Sequence, residues 1–205
     1  VFRDGHMLDE RRWAMIRGCG VDTAQFSPRP DDAVDAGQPP VVMFPARLIA
    51  DKGLREFVGA AQRLRDAGVA ARFVLVGRPD PLNPSSVGTE ELAAWVKAGL
   101  VEHWGYSDDM PATLARAHIV VMPSFYGEGV PRGLIEAAAM GRAIVTADSP
   151  GCREIVRDGE HVIEIRPHQS ELRVVVVGWA IGQVVGDRVR REDGELHTPR
   201  HHHLG

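Results

Sequence analysis

The sequence is poor in cysteine, in long apolar runs and in net charge. Its two cysteines, Cys19 and Cys152, lie far apart and form no metal-ligand cluster, so we expect two reduced thiols, with a disulfide between them as the alternative. The longest apolar run, residues 174–181, is interrupted by Gly178 and is far shorter than the roughly 20 residues that span a bilayer. A formal net charge of −4 gives no reason to expect a nucleic-acid partner.

The start of the sequence resembles neither a signal peptide nor a translation start. Residues 1–12 are polar and charged, which is unlike a signal peptide. Residue 1 is Val rather than Met. We therefore expect no signal peptide, and we do not expect translation to start at residue 1.

Three regions of the chain differ in their patterning. The whole is 44% hydrophobic and 25% charged, which is ordinary for a globular protein. Residues 1–40 show little periodicity and end in a Pro- and Asp-rich linker, whereas residues 41–165 alternate apolar runs with helical patterns. Residues 166–205 break that rhythm. We expect one folded domain at 41–165, preceded by an inter-domain segment and followed by an atypical tail.

The middle region predicts an α/β domain with a doubly wound, Rossmann-like parallel sheet. Continuous apolar runs are typical of strands buried on both faces, and helical spacing of apolar residues predicts helices between them. In such sheets ligands bind at the carboxyl ends of the strands. The expected strands are 41–44, 73–77, 101–104, 119–122 and 143–147, with a weak sixth at 161–165, and the expected helices are 54–64, 90–98, a short one capped by Asp108 or Asp109, 133–140 and 151–156.

The loop after the first strand, ARLIADKG at residues 46–53, carries two candidate anion ligands. Arg47 and Lys52 flank a turn that ends in Gly53. Two cations at the carboxyl end of a strand suit a pyrophosphate, since Arg offers a planar fork and Lys a mobile point charge. The alternative is that both are solvated loop cations that pair with Asp51 or Glu56.

A Gly-rich loop after the fourth strand opens onto a helix at residues 127–141. This arrangement presents backbone N–H groups and the positive end of the helix dipole to an anion. Glu128 lies in the loop and Glu136 inside the helix. Carboxylates beside a phosphate site would bind hydroxyl groups, such as those of a ribose or hexose. The alternative makes Glu128 a surface residue and Glu136 a solvated helix residue.

The loop after the third strand begins with Gly105 and Tyr106. At the carboxyl end of a strand it could flank a nucleotide base, with backbone groups bonded to the base edge and Tyr106 stacked on the ring. The alternative is that Tyr106 serves only for packing.

These segments together resemble the C-terminal, donor-binding domain of the retaining glycosyltransferases of family four, which have the GT-B fold. The resemblance rests on ARLIADKG, on VGRPD after the second strand, and on PSFYGEGVPRGLIEAAAMGRAIVTADSPGCREIV, and it runs from about residue 17 to about residue 159. Both cations precede a Glu-x7-Glu pair in the family's order. The last segment is most similar to members that build bacterial surface polysaccharides.

The resemblance implies roles for particular residues. Arg47 and Lys52 would contact the donor diphosphate and stabilise the departing nucleoside diphosphate, and Glu136 would accept hydrogen bonds from the ribose hydroxyls. Glu128 would hold the transferred sugar. The other expected substrate-binding residues are Gly129 and Val130, through backbone N–H groups, together with Arg132, Gly105 and Tyr106.

The implied activity is retaining transfer of a hexose or N-acetylhexosamine from a nucleoside diphosphate, with uridine as the expected base, to a glycan or lipid-linked acceptor. We expect no cofactor and no metal, since cations and a helix N-terminus can take the leaving-group charge. The expected location is the cytoplasm, including the inner face of the membrane. The alternative is a non-catalytic nucleotide-sugar-binding remnant or a truncated gene product.

Two departures from the family pattern affect these expectations. A full GT-B enzyme has an N-terminal acceptor domain, whereas only about 40 residues precede the donor domain here, so we expect this chain alone to bind donor but to transfer poorly or not at all. The tail lacks the family's closing helix. We expect it to be either a frameshifted or read-through segment that begins between about residues 160 and 170, or an unusual last strand at 172–177 on the sheet edge.

Overall fold

The computed structural model describes residues 19–28, 38–124 and 129–155, together with the backbone of residues 174–177. Within these ranges six strands form one sheet in the order β3-β2-β1-β4-β5-β6. The strands are β1 Val41–Pro45, β2 Arg72–Val76, β3 Glu102–Gly105, β4 Ile119–Met122, β5 Ala143–Ala147 and β6 Val174–Val177. The helices are α1 Leu54–Asp66, α2 Thr89–Lys97, α3 Met110–Ala115, α4 Arg132–Ala139 and α5 Pro150–Arg153.

Strands β1 to β5 are parallel, as predicted. β1 pairs with β2 from Val41 opposite Arg72 to Pro45 opposite Val76, and with β4 on its other side. The order 3-2-1-4-5 reverses direction between β1 and β4, which is where doubly wound sheets place their ligands. The expected Rossmann-like fold is therefore confirmed.

The sixth strand differs in direction from the others. β6 runs antiparallel to β5, with Ile144 opposite Val177 and Ala147 opposite Val174. This pairing agrees with the second expectation for the tail, a last strand on the sheet edge. The weak strand predicted at 161–165 lies outside the described residues.

Alternation along the central strands divides the core between the two faces of the sheet. Met43 and Val74 belong to a cluster with Leu114 and Leu134 from α3 and α4, whereas Phe44 belongs to a cluster with residues of α1 and α2. In that second cluster the Phe44 and Phe57 rings lie 5.4 Å apart, as do those of Phe57 and Phe73. All five residues of β1 are buried, which explains why its sequence is continuously apolar.

Helix ends follow the local chemistry of the sequence. The Asp109 carboxylate accepts a hydrogen bond of 3.0 Å from the Ala112 N–H, so Asp109 rather than Asp108 caps α3. Gly68 adopts a φ of 72° just after α1, as expected of a C′ glycine. Strand β3 is shifted by one residue from its expected position and is only half-buried, because it forms an edge of the sheet.

Both cysteines are free thiols, Cys19 exposed and Cys152 buried, as predicted. The Cys152 sulfur accepts a hydrogen bond of 3.0 Å from the Thr146 hydroxyl. In the described part of the chain, every helix is too short or too polar to cross a membrane.

A histidine ties β1 to β4 at the amino-terminal edge of the sheet, away from the strand ends where ligands bind. The Val41 N–H donates to His118 Nδ1 at 3.0 Å, which requires that nitrogen to be unprotonated. Burial lowers the pKa of His118, and the nearby positive charge of Arg142 lowers it further. Protonation of His118 at Nδ1 would therefore break the hydrogen bond from the Val41 N–H.

We expect His118 to make the fold sensitive to acid. Its folded pKa lies below the unfolded value of about 6.5, so the unfolded chain binds the proton more tightly. The contribution of His118 to stability is complete above about pH 6.5 and is lost as the pH falls through the folded pKa. His118→Asn keeps an acceptor for the Val41 N–H without titrating, so its melting temperature should fall less than that of the wild type between pH 7.5 and pH 5. Parallel pH profiles for the two proteins would contradict this role.

Candidate functional site

A cleft of about 900 Å³ opens at the carboxyl ends of β1, β2 and β3, beside the start of α4. Four residues predicted from the sequence line it: Arg47, Tyr106, Arg132 and Glu136. The other predicted residues that the structure describes, Lys52, Gly105, Gly129 and Val130, are not among the lining residues. Glu128 lies outside the described residues, so its predicted role stays a prediction.

The cleft depends on a close backbone contact between the loops that follow β1 and β2. Gly77 has a φ of 147°, and a Cβ atom at this position would lie 2.0 Å from the Ala46 carbonyl oxygen. The Ala46 N–H donates to the Val76 carbonyl at 3.0 Å, and the Gly77 N–H donates to the Gly105 carbonyl at 2.8 Å. Three consecutive strand ends are therefore held together by backbone contacts that only glycine at position 77 permits.

Helix α4 also packs against the same edge, although less closely than the loops after β1 and β2 pack on each other. A Cβ at Gly133 would lie 3.1 Å from the Met122 sulfur and 3.4 Å from the Pro45 carbonyl oxygen. Both Arg132 and Gly133, the first two residues of the helix, line the cleft. The first N–H groups of a helix have no intrahelical partner, and with the helix dipole they favour an anion at this position.

Arg47 projects from the end of β1 with 57% of its side chain exposed. Its Nη1 donates to the Asp80 carboxylate at 2.8 Å. The alternative expectation named Asp51 or Glu56 as its partner, whereas the structure pairs it with Asp80 from the loop after β2. Lys52 is half-buried in the 3-10 turn Ala50–Lys52 and does not reach the cleft lining.

Glu136 is a buried carboxylate that faces the cleft. The residue is 7% exposed, and its carboxylate accepts a hydrogen bond of 2.8 Å from Arg132 Nε one helical turn earlier. It is therefore not the solvated helix residue of the alternative expectation. An ionised carboxylate can accept about four hydrogen bonds. Arg132 Nε supplies one of these bonds, so acceptor capacity is left for hydroxyl groups of a ligand.

Tyr106 lies at the rim of the cleft rather than in the core. Its side chain belongs to the exposed hydrophobic residues, at 61% exposure, and the Arg78 guanidinium carbon lies 4.9 Å from its ring centroid. Gly105 adopts a φ of 77° and places Tyr106 on the cleft side of the turn. An exposed aromatic face beside a cation can stack against a planar heterocycle.

Sequence reasoning assigned no role to two charged residues of the cleft, Arg78 and Asp80, although it noted the VGRPD segment that contains them after β2. The signal available was their position at the carboxyl end of a strand. The Arg132–Glu136 pair was also missed, although its i,i+4 spacing of opposite charges could have indicated it. Together the described lining carries three arginines and two carboxylates, a net positive charge that suits an anionic ligand.

Metal ligation finds no support in the described ranges, where no group of three or more His, Cys, Asp and Glu side chains is placed to hold an ion. The expectation that the site works without metal stays a prediction.

Comparison with known proteins relates the chain to glycosyl transferases. The family model described as "Glycosyl transferases group 1" matches residues 39–180. The chain is 33% identical over 158 residues to the N,N'-diacetylbacillosaminyl-diphospho-undecaprenol alpha-1,3-N-acetylgalactosaminyltransferase of Campylobacter jejuni, a match that covers 73% of this chain and 40% of the relative. It is 32% identical over 145 residues to the putative colanic acid biosynthesis glycosyltransferase WcaL of Escherichia coli K12, covering 67% of this chain and 34% of that relative. The chain thus spans well under half the length of these curated relatives.

A solved structure shares the fold. Anabaena Alr3699/HepE, crystallised in complex with UDP, matches with a TM-score of 0.59 and 23% sequence identity, over 75% of this chain and 43% of that chain. Together with the observed sheet order, this likeness confirms the expected fold, one half of a GT-B structure.

The contact at Gly77 yields a test of how the cleft is built. Gly77→Ala would place a methyl group against the Ala46 carbonyl at a φ that L residues rarely adopt, so we expect it to lower the free energy of unfolding by more than about 2 kcal/mol. Urea denaturation measures the change.

Gly59→Ala is the matched control for that substitution. Gly59 lies inside α1, where an added Cβ meets nothing within 4 Å. The same chemical change should there stabilise the protein by about 0.5–1 kcal/mol. Equal effects at the two positions would contradict the proposed contact between the loops.

Proposed function

The chain belongs to the group 1 glycosyl transferases, and on that premise we propose that its cleft binds a nucleoside-diphosphate sugar as the donor for retaining glycosyl transfer. The observation that supports the proposal most strongly is that one cleft contains both groups that bind an anion and a group that binds hydroxyls. Arg47 and the start of α4 suit an anion, whereas the buried Glu136 suits hydroxyl groups. A nucleoside diphosphate carries both kinds of group, a diphosphate and a ribose.

The proposed orientation follows from the positions of these groups. The diphosphate lies between Arg47 and the first turn of α4, and the ribose hydroxyls donate to Glu136. The base extends toward Tyr106 and Arg78 at the rim, where the aromatic ring can stack on it. In this proposal Lys52 also contacts the diphosphate, and Glu128, with the backbone N–H groups of Gly129 and Val130, holds the transferred sugar and its phosphate.

The chemistry proposed for the cleft is stabilisation of the leaving group. When the bond between the anomeric carbon and the diphosphate oxygen breaks, negative charge develops on that oxygen. Arg47 and the α4 N–H groups are fixed before the reaction, so they can stabilise this charge without reorganisation. The acceptor oxygen then bonds to the anomeric carbon on the face that the diphosphate leaves, and its proton passes to the departing diphosphate oxygen, so the configuration of the sugar is retained.

Uridine is the base we propose, and a hexose or N-acetylhexosamine the sugar. The UDP complex of Anabaena HepE and the N-acetylgalactosaminyltransferase activity in the name of the Campylobacter jejuni relative support these choices. The same name contains a diphospho-undecaprenol, which supports a lipid-linked or glycan acceptor and work at the cytoplasmic face of a membrane. The chain covers 40% and 34% of these two relatives, and we propose that acceptor binding needs a part of the enzyme outside the matched region, so that these 205 residues alone bind donor without efficient transfer.

Calorimetric titration with UDP, GDP and uridine tests the proposal. Arg47→Ala and Glu136→Ala should each weaken UDP binding by about 1–3 kcal/mol, because each removes a hydrogen bond to a charged group. Uridine lacks phosphate, so Arg47→Ala should leave its affinity unchanged, whereas Glu136→Ala should weaken it.

Arg55→Ala is the matched control for Arg47→Ala. Arg55 is equally exposed, with 56% of its side chain accessible, and it also pairs with a single carboxylate, that of Glu91. It lies outside the cleft lining and should bind UDP like the wild type. Unchanged UDP affinity in both cleft variants would refute the proposed site.

A further inference from the structure

The segment between β2 and α2 forms a compact loop, residues 78–87, which we name the Asp80 loop. Its own backbone bonds close it, since the Asn83 N–H donates to the Asp80 carbonyl at 2.9 Å and the Ser86 N–H to the Asn83 carbonyl at 3.0 Å. The Ser86 hydroxyl accepts from the Asp80 N–H at 3.0 Å. The main chain at Asp80 is therefore fixed from both sides.

The Asp80 loop is also docked on the loop that carries Arg47. The Leu48 N–H donates to the Arg78 carbonyl at 3.1 Å, the Val87 N–H to the Leu48 carbonyl at 3.0 Å, and the Ala50 N–H to the Ser85 carbonyl at 2.7 Å. These bonds hold the backbone on both sides of Asp80 against the backbone on the far side of Arg47. The two side chains are thereby brought within reach of each other.

The two oxygens of the Asp80 carboxylate have different partners. Oδ1 accepts from the Leu82 N–H at 3.3 Å, within the loop, and Oδ2 accepts from Arg47 Nη1 at 2.8 Å. The Asp80 side chain is 27% exposed and that of Arg47 is 57% exposed. An arginine so exposed samples many rotamers unless a partner restricts it, and here the partner is anchored to a rigid loop.

We propose that Asp80 is a positioning residue, which holds the Arg47 guanidinium at the carboxyl end of β1 in the orientation that receives a diphosphate. The proposal rests on the proposed function of the cleft. A guanidinium has five N–H donors, and the Asp80 contact engages Nη1 alone, so other donors can bond a ligand without breaking the pair. Binding then requires less ordering of the side chain.

This proposal and simple electrostatics predict opposite changes in UDP affinity when the charge of Asp80 is removed. Asp80 is a negative charge in a cleft that is proposed to take a diphosphate anion, so its removal should tighten UDP binding if charge alone mattered. If Asp80 positions Arg47, its removal should weaken UDP binding. The direction of the change therefore decides between the two accounts.

Asp80→Asn is the variant to measure by calorimetry with UDP and uridine. The amide keeps an oxygen for the Leu82 N–H, but it loses the charge that holds Arg47. We expect UDP affinity to fall about five- to tenfold and uridine affinity to stay unchanged. Glu91→Gln is the control, because it neutralises a carboxylate that pairs with Arg55 away from the cleft, and it should change neither affinity.

A double variant completes the test. Asp80→Asn should have no further effect on UDP affinity in an Arg47→Ala background, because the residue it positions is gone. Unchanged or tighter UDP binding by Asp80→Asn, with Arg47→Ala still weakened, would overturn the inference and leave the proposed function standing. An equal loss of uridine binding would also overturn it, since Asp80 would then support the whole cleft. Unchanged UDP binding by Arg47→Ala would overturn both the diphosphate role of Arg47 and this inference.

Discussion

The Ala46 carbonyl oxygen occupies the space where a side chain at position 77 would begin, and the cleft depends on this contact. Parallel pairing brings the carboxyl ends of β1 and β2 to one edge of the sheet, and the missing side chain lets their loops touch. Arg47 lies in one of these loops and Asp80 in the other, so the contact between the backbones helps to bring the two charges together. The close packing of the strand ends therefore helps to place Arg47 beside Asp80 in the cleft.

The carboxylates in the cleft would be unfavourable without the arginines that pair with them. Its described lining holds two carboxylates, and each is paired with an arginine, Asp80 with Arg47 and Glu136 with Arg132. A carboxylate beside a phosphate site needs such a partner, because an unpaired buried charge is costly. Each pair leaves hydrogen-bonding groups available, arginine donors for an anion and carboxylate acceptors for hydroxyl groups. This division of donors and acceptors matches the chemistry of a nucleotide sugar.

Most of the fold could be predicted from local signals in the sequence. Apolar runs indicated β1, β2 and β5 because these strands are largely buried. A cap at Asp108 or Asp109 could be expected because a capping carboxylate bonds only two or three residues ahead, and the structure selects Asp109. The positions of Arg47, Tyr106 and Glu136 in the cleft followed from one rule, that ligands bind after the strands of such a sheet. Their chemical roles came from the family resemblance and stay predictions.

Tertiary contacts explain what the sequence did not reveal. The turn residues around Asp80 predicted a loop, but nothing local indicated that it docks on residues 48–50 and reaches Arg47. The antiparallel direction of β6 was not predicted either, since its valines suit either direction of pairing.

A crystal structure of the chain with UDP tests the central claim most directly. The account predicts diphosphate oxygens within hydrogen-bond distance of Arg47 and of the first turn of α4, ribose hydroxyls on the Glu136 carboxylate, and the Arg47–Asp80 pair still intact. Electron density for UDP elsewhere on the protein, or in the cleft with its diphosphate directed away from Arg47 and α4, would contradict it.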